Sequence, residues 1–313
     1  MRIFLSVLLA FLLVFPCAAL GEAEAEKVPT LLSMPLPIDF SGGAPLQEEY
    51  YEGDDAYMDP TISVKITFRD IREQYYPKEK KLIGVWIVDI RIGDASQLRT
   101  AAAVSFKNTT SKTVVEMAKR VNAVIAFNGD FAARRTEGII IRQGETFKNK
   151  LKGTLDVLVI DEDGNFHPFI QPNRGEIGDT IDGKKIINAF YFGPVLVNDG
   201  EVRNPIPDFK YLHPEKYFSR LAICQVGELH YKMIISTMQE KANTRGIPLD
   251  TFAQICKEEG ARYAFNLDGG NSASMVFRGE LVNAEELVKN EKDPREVPDI
   301  VYFASAWNEE VVE

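Results

Sequence analysis

The chain has 313 residues, and its 36 Lys and Arg against 46 Asp and Glu give a formal net charge of −10. This charge excludes a protein that binds nucleic acid independently of sequence, because such binding needs a basic surface that neutralises phosphates. The hydrophobic fraction of 45% and the charged fraction of 26% are ordinary for soluble globular proteins, which argues against a disordered chain and a multi-span membrane protein. Three cysteines are too few for a disulfide-rich scaffold, so packing must hold the fold together.

Residues 1–21 have the pattern of a secretory signal peptide. Arg2 precedes an apolar run over residues 3–15, and small residues follow this run. The pattern predicts cleavage between Ala19 and Glu22, with a retained membrane anchor as the alternative. We therefore expect the protein to be secreted, periplasmic or at the cell surface, with no stable membrane span after cleavage.

The rest of the sequence predicts an acidic leader or linker over residues 22–60 and one domain over residues 61–313. The first of these segments is rich in Glu, Pro and Gly, whereas ordered patterns begin just after it. Ile62–Phe68 alternates between apolar and polar residues and predicts a strand, as does Gly84–Ile90.

Three hairpins are predicted further along the chain. Residues 155–160 and 165–170 flank the turn dipeptide Asp163-Gly164, and residues 195–197 and 201–202 flank Asp199-Gly200. The third joins residues 220–226 to residues 229–235. Cys224 and Cys256 lie in apolar segments of the mature chain, as two buried thiols or as a disulfide that spacing cannot establish.

Two helices precede buried strands and set the predicted fold class. Ser111 is a candidate cap for a helix before the strand 123–127, and Asp250 is a candidate cap for a helix that stops at Gly260 before the strand 262–265. Together with the hairpins, these units predict an α/β (mixed α+β) fold, in which helices flank a twisted mixed β-sheet.

Both of these strands end in the same pattern, Asn-x-Asp. Asn128-Gly129-Asp130 follows the first strand, and Asn266-Leu267-Asp268 follows the second. Polar groups just beyond a buried strand are where α/β sheets build their sites, and the two carboxylates converge if the strands are neighbours. The alternative is two unrelated strand-ending turns. After Asp268, Gly269-Gly270 leaves the backbone N–H groups accessible and Ser272 adds a hydroxyl, which suits a phosphate or a sugar.

Two common catalytic sites are excluded by the pattern. Ser274 stands where a nucleophile elbow around Ser272 needs a glycine, and no histidine follows it in the chain. The three histidines are scattered without metal-ligand spacing, so a histidine-rich zinc site is not expected.

Several motifs together resemble the phosphodiester glycosidase family. The resemblance is carried by these stretches in the family's order: Asn128-Gly129-Asp130-Phe131; residues 192–197 with Gly200; residues 220–223; Asn266-Leu267-Asp268-Gly269-Gly270 with Ser272, Gly279 and Val282-Asn283; and residues 295–299. It covers residues 101–306, most of the mature chain. The sequence departs from the family pattern at Asn271, in place of a third glycine, and at Asp130, where a less acidic residue is more usual.

The resemblance implies hydrolysis of a sugar-1-phosphodiester at the anomeric carbon, on an extracytoplasmic glycan or exopolysaccharide. Glycosyl cleavage needs a carboxylate as nucleophile or base, and Asp268 is the first candidate, with Asp130 as the second. A phosphate leaving group needs cations more than a general acid. The candidate substrate-binding residues are Asn128, Gly129, Asn266, Gly269, Gly270, Ser272, Arg134, Arg135, Arg220 and Arg278.

Two other functions remain open at this stage. The same fold could serve as a non-catalytic polysaccharide-binding or assembly protein, or as a phosphodiesterase that cuts the P–O bond. No cofactor is required by the sequence. A divalent cation is possible, and its presence at Asp130 or Asp268 would favour the phosphodiesterase.

Overall fold

The computed structural model describes residues 29–209, 212–237, 245–283 and 295–309. The predicted signal peptide lies outside these residues. The prediction of a helix-flanked α/β fold is wrong, because the described part of the chain is mostly β, with 42% of its residues in strands, 13% helical and three antiparallel sheets. The error came from strands such as Ala123–Asn128, whose unbroken apolar run resembles a buried parallel strand. Here such strands are antiparallel and buried because other layers cover both of their faces.

The described strands are named in chain order. The first ten are β1 (Tyr51–Glu52), β2 (Ala56–Asp59), β3 (Ile62–Asp70), β4 (Gly84–Ile92), β5 (Leu98–Ala102), β6 (Ala123–Asn128), β7 (Gly138–Arg142), β8 (Glu145–Lys150), β9 (Asp156–Asp161) and β10 (Phe166–Phe169). The next ten are β11 (Thr180–Ile181), β12 (Lys184–Phe192), β13 (Val195–Asn198), β14 (Glu201–Val202), β15 (Leu221–Gly227), β16 (His230–Ser236), β17 (Tyr263–Leu267), β18 (Met275–Phe277), β19 (Glu280–Leu281) and β20 (Asp299–Ala304). The described α-helices are α1 (Arg72–Tyr75), α2 (Val114–Arg120) and α3 (Leu249–Glu258).

These strands form three sheets around a shared core. The nine-stranded sheet has the order β1-β2-β3-β4-β16-β15-β17-β13-β14, and the five-stranded sheet has the order β19-β18-β6-β20-β5. The six-stranded sheet has the order β10-β9-β12-β7-β8, with β11 paired to β12. One hydrophobic cluster contains Phe265 of β17, Phe190 of β12 and Phe127 of β6, so it joins all three sheets. Burial of each such ring contributes on the order of 2 kcal/mol.

The predicted strands and hairpins are confirmed in this part of the fold. Strands β3 and β4 contain the two segments that were expected to be extended. The pairs β9 with β10, β13 with β14, and β15 with β16 form the three expected hairpins. Cys224 and Cys256 are both buried free thiols.

Both predicted long helices exist, but each begins at a different cap. Thr113, rather than Ser111, caps α2, because its hydroxyl and Glu116 form a reciprocal capping box. Helix α3 begins after Pro248, and Asp250 lies in its first turn, where a carboxylate favours the helix dipole. The first helix packs on the five-stranded sheet, whereas the second buries Phe252 and Ile255 in the cluster beside β13 and β17. No described helix is both long and apolar enough to cross a bilayer.

The segment before β1 packs along the domain and is fixed by a buried arginine. Arg99 of β5 is 0% exposed, and its guanidinium donates to the carbonyls of Pro37, Asp39 and Ser41 at 3.0 Å each. The amide of Gly43 also donates to the carbonyl of Val121. Because a buried guanidinium needs acceptors, the carbonyls of this segment satisfy donors of Arg99 that would otherwise be unpaired.

We therefore expect Arg99→Met to release the segment around residues 37–41. The methionine keeps the apolar stem but removes the donors, so these carbonyls lose their partner and the segment becomes accessible to protease. Limited proteolysis followed by mass spectrometry should detect early cleavage between residues 29 and 45. Arg91→Met, a part-exposed position on β4, is the matched control and should be cleaved as slowly as the wild type. Equal resistance in both variants would show that Arg99 does not fix the segment.

Candidate functional site

The two Asn-x-Asp endings meet although their strands lie in different sheets. Strand β6 pairs with β18 and β20, whereas β17 pairs with β13 and β15. Their ends are joined because Nδ2 of Asn128 donates to the carbonyl of Asp268 at 2.7 Å. The Oδ1 atom of Asn128 accepts from the amide of Ser274 at 3.0 Å. One buried side chain thus holds both ends of the loop that contains Gly269 and Gly270.

A cleft of about 590 Å³ opens beside this loop. Its polar lining includes Asn266, Asp268, Arg135 and Arg295, and its apolar lining comes from Phe131, Leu155, Phe192, Phe209, Leu212 and Phe218. The Nδ2 atom of Asn266 donates to the carbonyl of Gly193 at 2.9 Å. Its Oδ1 is buried and has no hydrogen-bond partner among the described residues, so an acceptor is available at the cleft. The volume suits a small organic ligand.

Asp268 lines the cleft together with the cationic side chains of Arg135 and Arg295. Burial raises the pKa of this carboxyl above its ordinary value. A hydrogen bond from Ser272, the charges of Arg295 and Arg135, and the amide of Gly269 oppose this rise. Asp268 is therefore a carboxylate held in a dry setting by donors and cations, which suits either a nucleophile or a base.

The four arginines predicted from the sequence divide into two groups. Arg134 and Arg135 line the cleft, and the guanidinium of Arg135 lies 5.3 Å from the ring centroid of Phe192. Arg220 also lines the cleft, but its guanidinium donates to the carbonyls of Leu212, His213, Lys216 and Ile247. These bonds occupy four of its five N–H donors and fix the apolar side of the cleft. Arg278 lies away from the cleft, where it donates to the carbonyl of Gly53 and stacks on Tyr51.

Arg295 is a cleft residue that the sequence reasoning did not select. It lies just before β20, and its charge acts on Asp268. Its presence in the last stretch that resembles the family was a usable sign. Most arginines are exposed surface charges, so the sequence alone does not assign Arg295 to the cleft.

Asp130 lies in a buried ionic cluster rather than in the cleft lining. Its Oδ1 is 3.0 Å from Nη2 of Arg142, and the same nitrogen is 3.2 Å from Oδ2 of Asp299. Its carboxylate also accepts from the amides of Ala132 at 3.0 Å and Tyr191 at 2.7 Å. Arg142 and Asp130 are each 0% exposed. The carboxylate of Asp130 therefore connects the loop after β6 to strands β7 and β12.

Asp299 is a second carboxylate that the sequence reasoning did not select. Burial raises its pKa to about 7, the charge of Asp130 adds to the rise, and Arg142 opposes it. Its Oδ1 lies where a Cβ on Gly129 would be only 2.5 Å away, so a glycine is needed there. When Asp299 is protonated, Asp130 and Arg142 form one neutralised ion pair. This is the least costly way to bury these three ionisable groups together.

The remaining predicted residues have separate places. Gly269 and Gly270 line the cleft, and a Cβ at Gly269 would be 2.5 Å from the carbonyl oxygen of Ser219. Ser272 is buried and donates to Asp268. Within the described ranges, no group of three or more His, Cys, Asp or Glu side chains could hold a metal ion.

Comparison with known proteins identifies the family to which the chain belongs. The sequence model of the phosphodiester glycosidase family matches residues 121–304. The chain belongs to the phosphodiester glycosidase family. The match spans both Asn-x-Asp endings, Arg220, Arg295 and Asp299. Family membership supports a glycosidase-type hydrolase.

Two similar proteins place this phosphodiester glycosidase domain among its relatives. The chain is 28% identical over 187 residues to the SPbeta prophage-derived uncharacterized protein YomE of Bacillus subtilis (strain 168), covering 57% of this chain and 28% of YomE. The chain thus matches less than a third of that protein's length. It also resembles the zebrafish N-acetylglucosamine-1-phosphodiester alpha-N-acetylglucosaminidase catalytic domain, auto-inhibited by its pro-peptide, with a TM-score of 0.62 at 18% identity. This second similarity covers 79% of this chain and 84% of the zebrafish chain, and it supports the fold.

The raised pKa of Asp299 predicts a pH-dependent cost in stability. Above about pH 4 the carboxyl of Asp299 has lost its proton in the unfolded chain but keeps it in the folded protein. The contribution of Asp299 to the free energy of unfolding is therefore complete only below about pH 4. It is lost as the pH rises through about 7. In Asp299→Asn this loss should disappear, and the free energy of unfolding relative to the wild type should rise between pH 4 and 7. Urea unfolding across this range measures the difference, which should stay flat in the exposed control Asp163→Asn.

The hydrogen bonds of Arg220 predict that even a conservative change there is damaging. Arg220→Lys keeps the charge but cannot reach the four carbonyls, which are left without their donor. We expect the free energy of unfolding to fall by about 2–4 kcal/mol, as measured by urea denaturation. Arg262→Lys, at an exposed arginine, should change it by less than about 0.5 kcal/mol. A similar small change in both variants would contradict the structural role of Arg220.

Proposed function

We propose that this chain hydrolyses a sugar-1-phosphodiester at the anomeric carbon and releases a free sugar and a phosphomonoester. The observation that carries the proposal is the carboxylate of Asp268 in a cleft with Arg135 and Arg295, whose charges both act on it. A carboxylate is what an oxocarbenium-like transition state requires, and two cations suit a departing phosphate. The free Oδ1 of Asn266 supplies an acceptor for a sugar hydroxyl.

The chemical roles follow from the properties of the leaving group. The bond between the anomeric carbon and the phosphate oxygen breaks, and its electron pair leaves with the phosphomonoester. Because a phosphate leaves as a stable anion, Arg135 and Arg295 replace the general acid of an ordinary glycosidase. Asp268 either attacks the anomeric carbon and forms a glycosyl ester that water then hydrolyses, or takes a proton from a water that attacks this carbon. The oxygen of water ends on the sugar.

The substrate of the proposal is an extracytoplasmic glycan or exopolysaccharide. Two features support it: the signal-peptide pattern of residues 1–21, and a cleft whose aromatic rings suit the apolar faces of a sugar. The zebrafish relative is described as an enzyme that acts on an N-acetylglucosamine-1-phosphodiester, which makes this sugar the first to test.

Asp268→Asn tests the proposal directly. With the methyl diesters of α-N-acetylglucosamine 1-phosphate, α-glucose 1-phosphate and α-galactose 1-phosphate, we expect the wild type to release free sugar from at least one. The variant should lose about 10²- to 10⁴-fold in kcat, since it lacks the base or nucleophile. Asp163→Asn, an exposed carboxylate outside the cleft lining, is the matched control and should keep full activity.

Isotope labelling separates this reaction from its rivals. In ¹⁸O-labelled water the label should appear in the sugar, and label in the phosphate would identify a phosphodiesterase that cuts the P–O bond. Binding of every diester without turnover would identify a non-catalytic polysaccharide-binding protein. Full activity in Asp268→Asn would remove that residue from the mechanism.

A further inference from the structure

Arg135 enters the cleft from a turn whose backbone is under strain. The turn is a 3₁₀ helix over Ala132–Arg134, preceded by Phe131 in the left-handed region at φ +62°. A bulky residue with positive φ costs free energy and persists only where its surroundings hold it. The turn therefore needs anchors that prevent relaxation to an ordinary backbone conformation.

Lys148 of β8 supplies an anchor at each end of this turn. Its Nζ donates to the carbonyl of Ala132 at 2.8 Å and to the carbonyl of Arg135 at 2.6 Å. These two carbonyls belong to the residue that opens the turn and the residue that follows it. One ammonium therefore holds the whole turn at a fixed distance from the edge strand β8.

The surroundings of Lys148 lower the pKa of its ammonium, and Asp130 limits this effect. Burial lowers the pKa of its ammonium, and the charge of the Asp130 carboxylate opposes this shift, whereas the cations Lys150, Arg135 and Arg142 add to it. Asp130 also accepts from the amide of Ala132 at 3.0 Å. The turn is thus fixed through its amide by a carboxylate and through its carbonyls by an ammonium.

The side chain that this arrangement presents is a cation in the lining of the cleft. The Nε atom of Arg135 is buried and has no hydrogen-bond partner among the described residues. Its guanidinium lies 5.9 Å from the ring centroid of Phe131 and 5.3 Å from that of Phe192. The guanidinium of an arginine in a cleft lining can pair with two phosphate oxygens.

We propose that Lys148 is a positioning residue that sets the preference for phosphodiester substrates by holding Arg135 in its phosphate-binding place. The inference rests on the proposed function, because it assumes that the anion in the cleft is the phosphate of the substrate. Lys148 itself is bonded to main-chain carbonyls, so it acts through Arg135 rather than on the substrate. Without the hydrogen bonds from Lys148, the backbone at Phe131 relaxes and the guanidinium of Arg135 moves away from the phosphate position.

The test compares a charged and a neutral substrate that have the same sugar. The charged substrate is whichever methyl phosphodiester the wild type hydrolyses, and the neutral one is the 4-nitrophenyl α-glycoside of that sugar. We expect Lys148→Met to raise KM for the diester about tenfold or more while kcat/KM for the neutral glycoside changes less than about twofold. A purely structural role would reduce both, so equal losses would overturn the proposal.

Matched variants separate position from charge. Lys150→Met, at the exposed lysine two residues further along β8, should behave as the wild type. Lys148→Arg, which keeps donors for the two carbonyls, should restore most of the diester KM. In a double-mutant cycle, Lys148→Met should add little to Arg135→Met, because both act on one interaction. Full additivity would contradict an action through Arg135.

A binding experiment distinguishes failure of this inference from failure of the proposed function. Inorganic phosphate is titrated into the wild type and Lys148→Met and followed by calorimetry, which needs no turnover. Weaker phosphate binding in the variant, about tenfold, supports the positioning role even if no diester is hydrolysed. Unchanged phosphate affinity in Lys148→Met overturns it, whatever the activity of the wild type.

Discussion

The site depends on the hydrogen bond from the side chain of Asn128 to the carbonyl of Asp268. Asn128 ends strand β6 and Asp268 directly follows strand β17, and these strands belong to different sheets and share no ladder bonds. The other side-chain atom of Asn128 accepts from Ser274, so the loop between Asp268 and Ser274 is fixed at both ends. Since this side chain is 1% exposed, its bonds are shielded from water and have no solvent competitor.

The arginines show how local acceptors decide what a cation can do. Arg220 lies at the cleft, yet the carbonyls around it take up its donors and make it part of the wall. Burial lowers its pKa to about 10, which shows the cost of this use. Arg142 is bound between two carboxylates, whereas Arg135 keeps an unpartnered Nε at the cleft. Arginine side chains in this fold thus have three roles: a structural donor to carbonyls, a counter-ion to carboxylates and a cation in the cleft lining.

Much of the local structure could be predicted from the sequence, because strand alternation and turn dipeptides are short-range signals. The three hairpins and the strands β3 and β4 follow from these alone. The arrangement of the sheets could not be predicted, because a buried apolar run such as Ala123–Asn128 has the same sequence pattern in parallel and antiparallel sheets. The hydrogen bond between Asn128 and Asp268 also could not be predicted, since a repeated sequence motif does not specify which atoms are in contact.

The same limit explains why Asp130 lies elsewhere than its sequence position indicates. Asp130 follows a motif beside the cleft, but three amide and guanidinium donors turn its carboxylate inward. In the proposed complex, this leaves Asp268 as the cleft carboxylate facing a negatively charged phosphate. The charges of Arg135 and Arg295 lower the pKa of Asp268 against its burial. A bound diester would take up part of that same positive charge, so substrate binding would raise the pKa of Asp268 and strengthen it as a base.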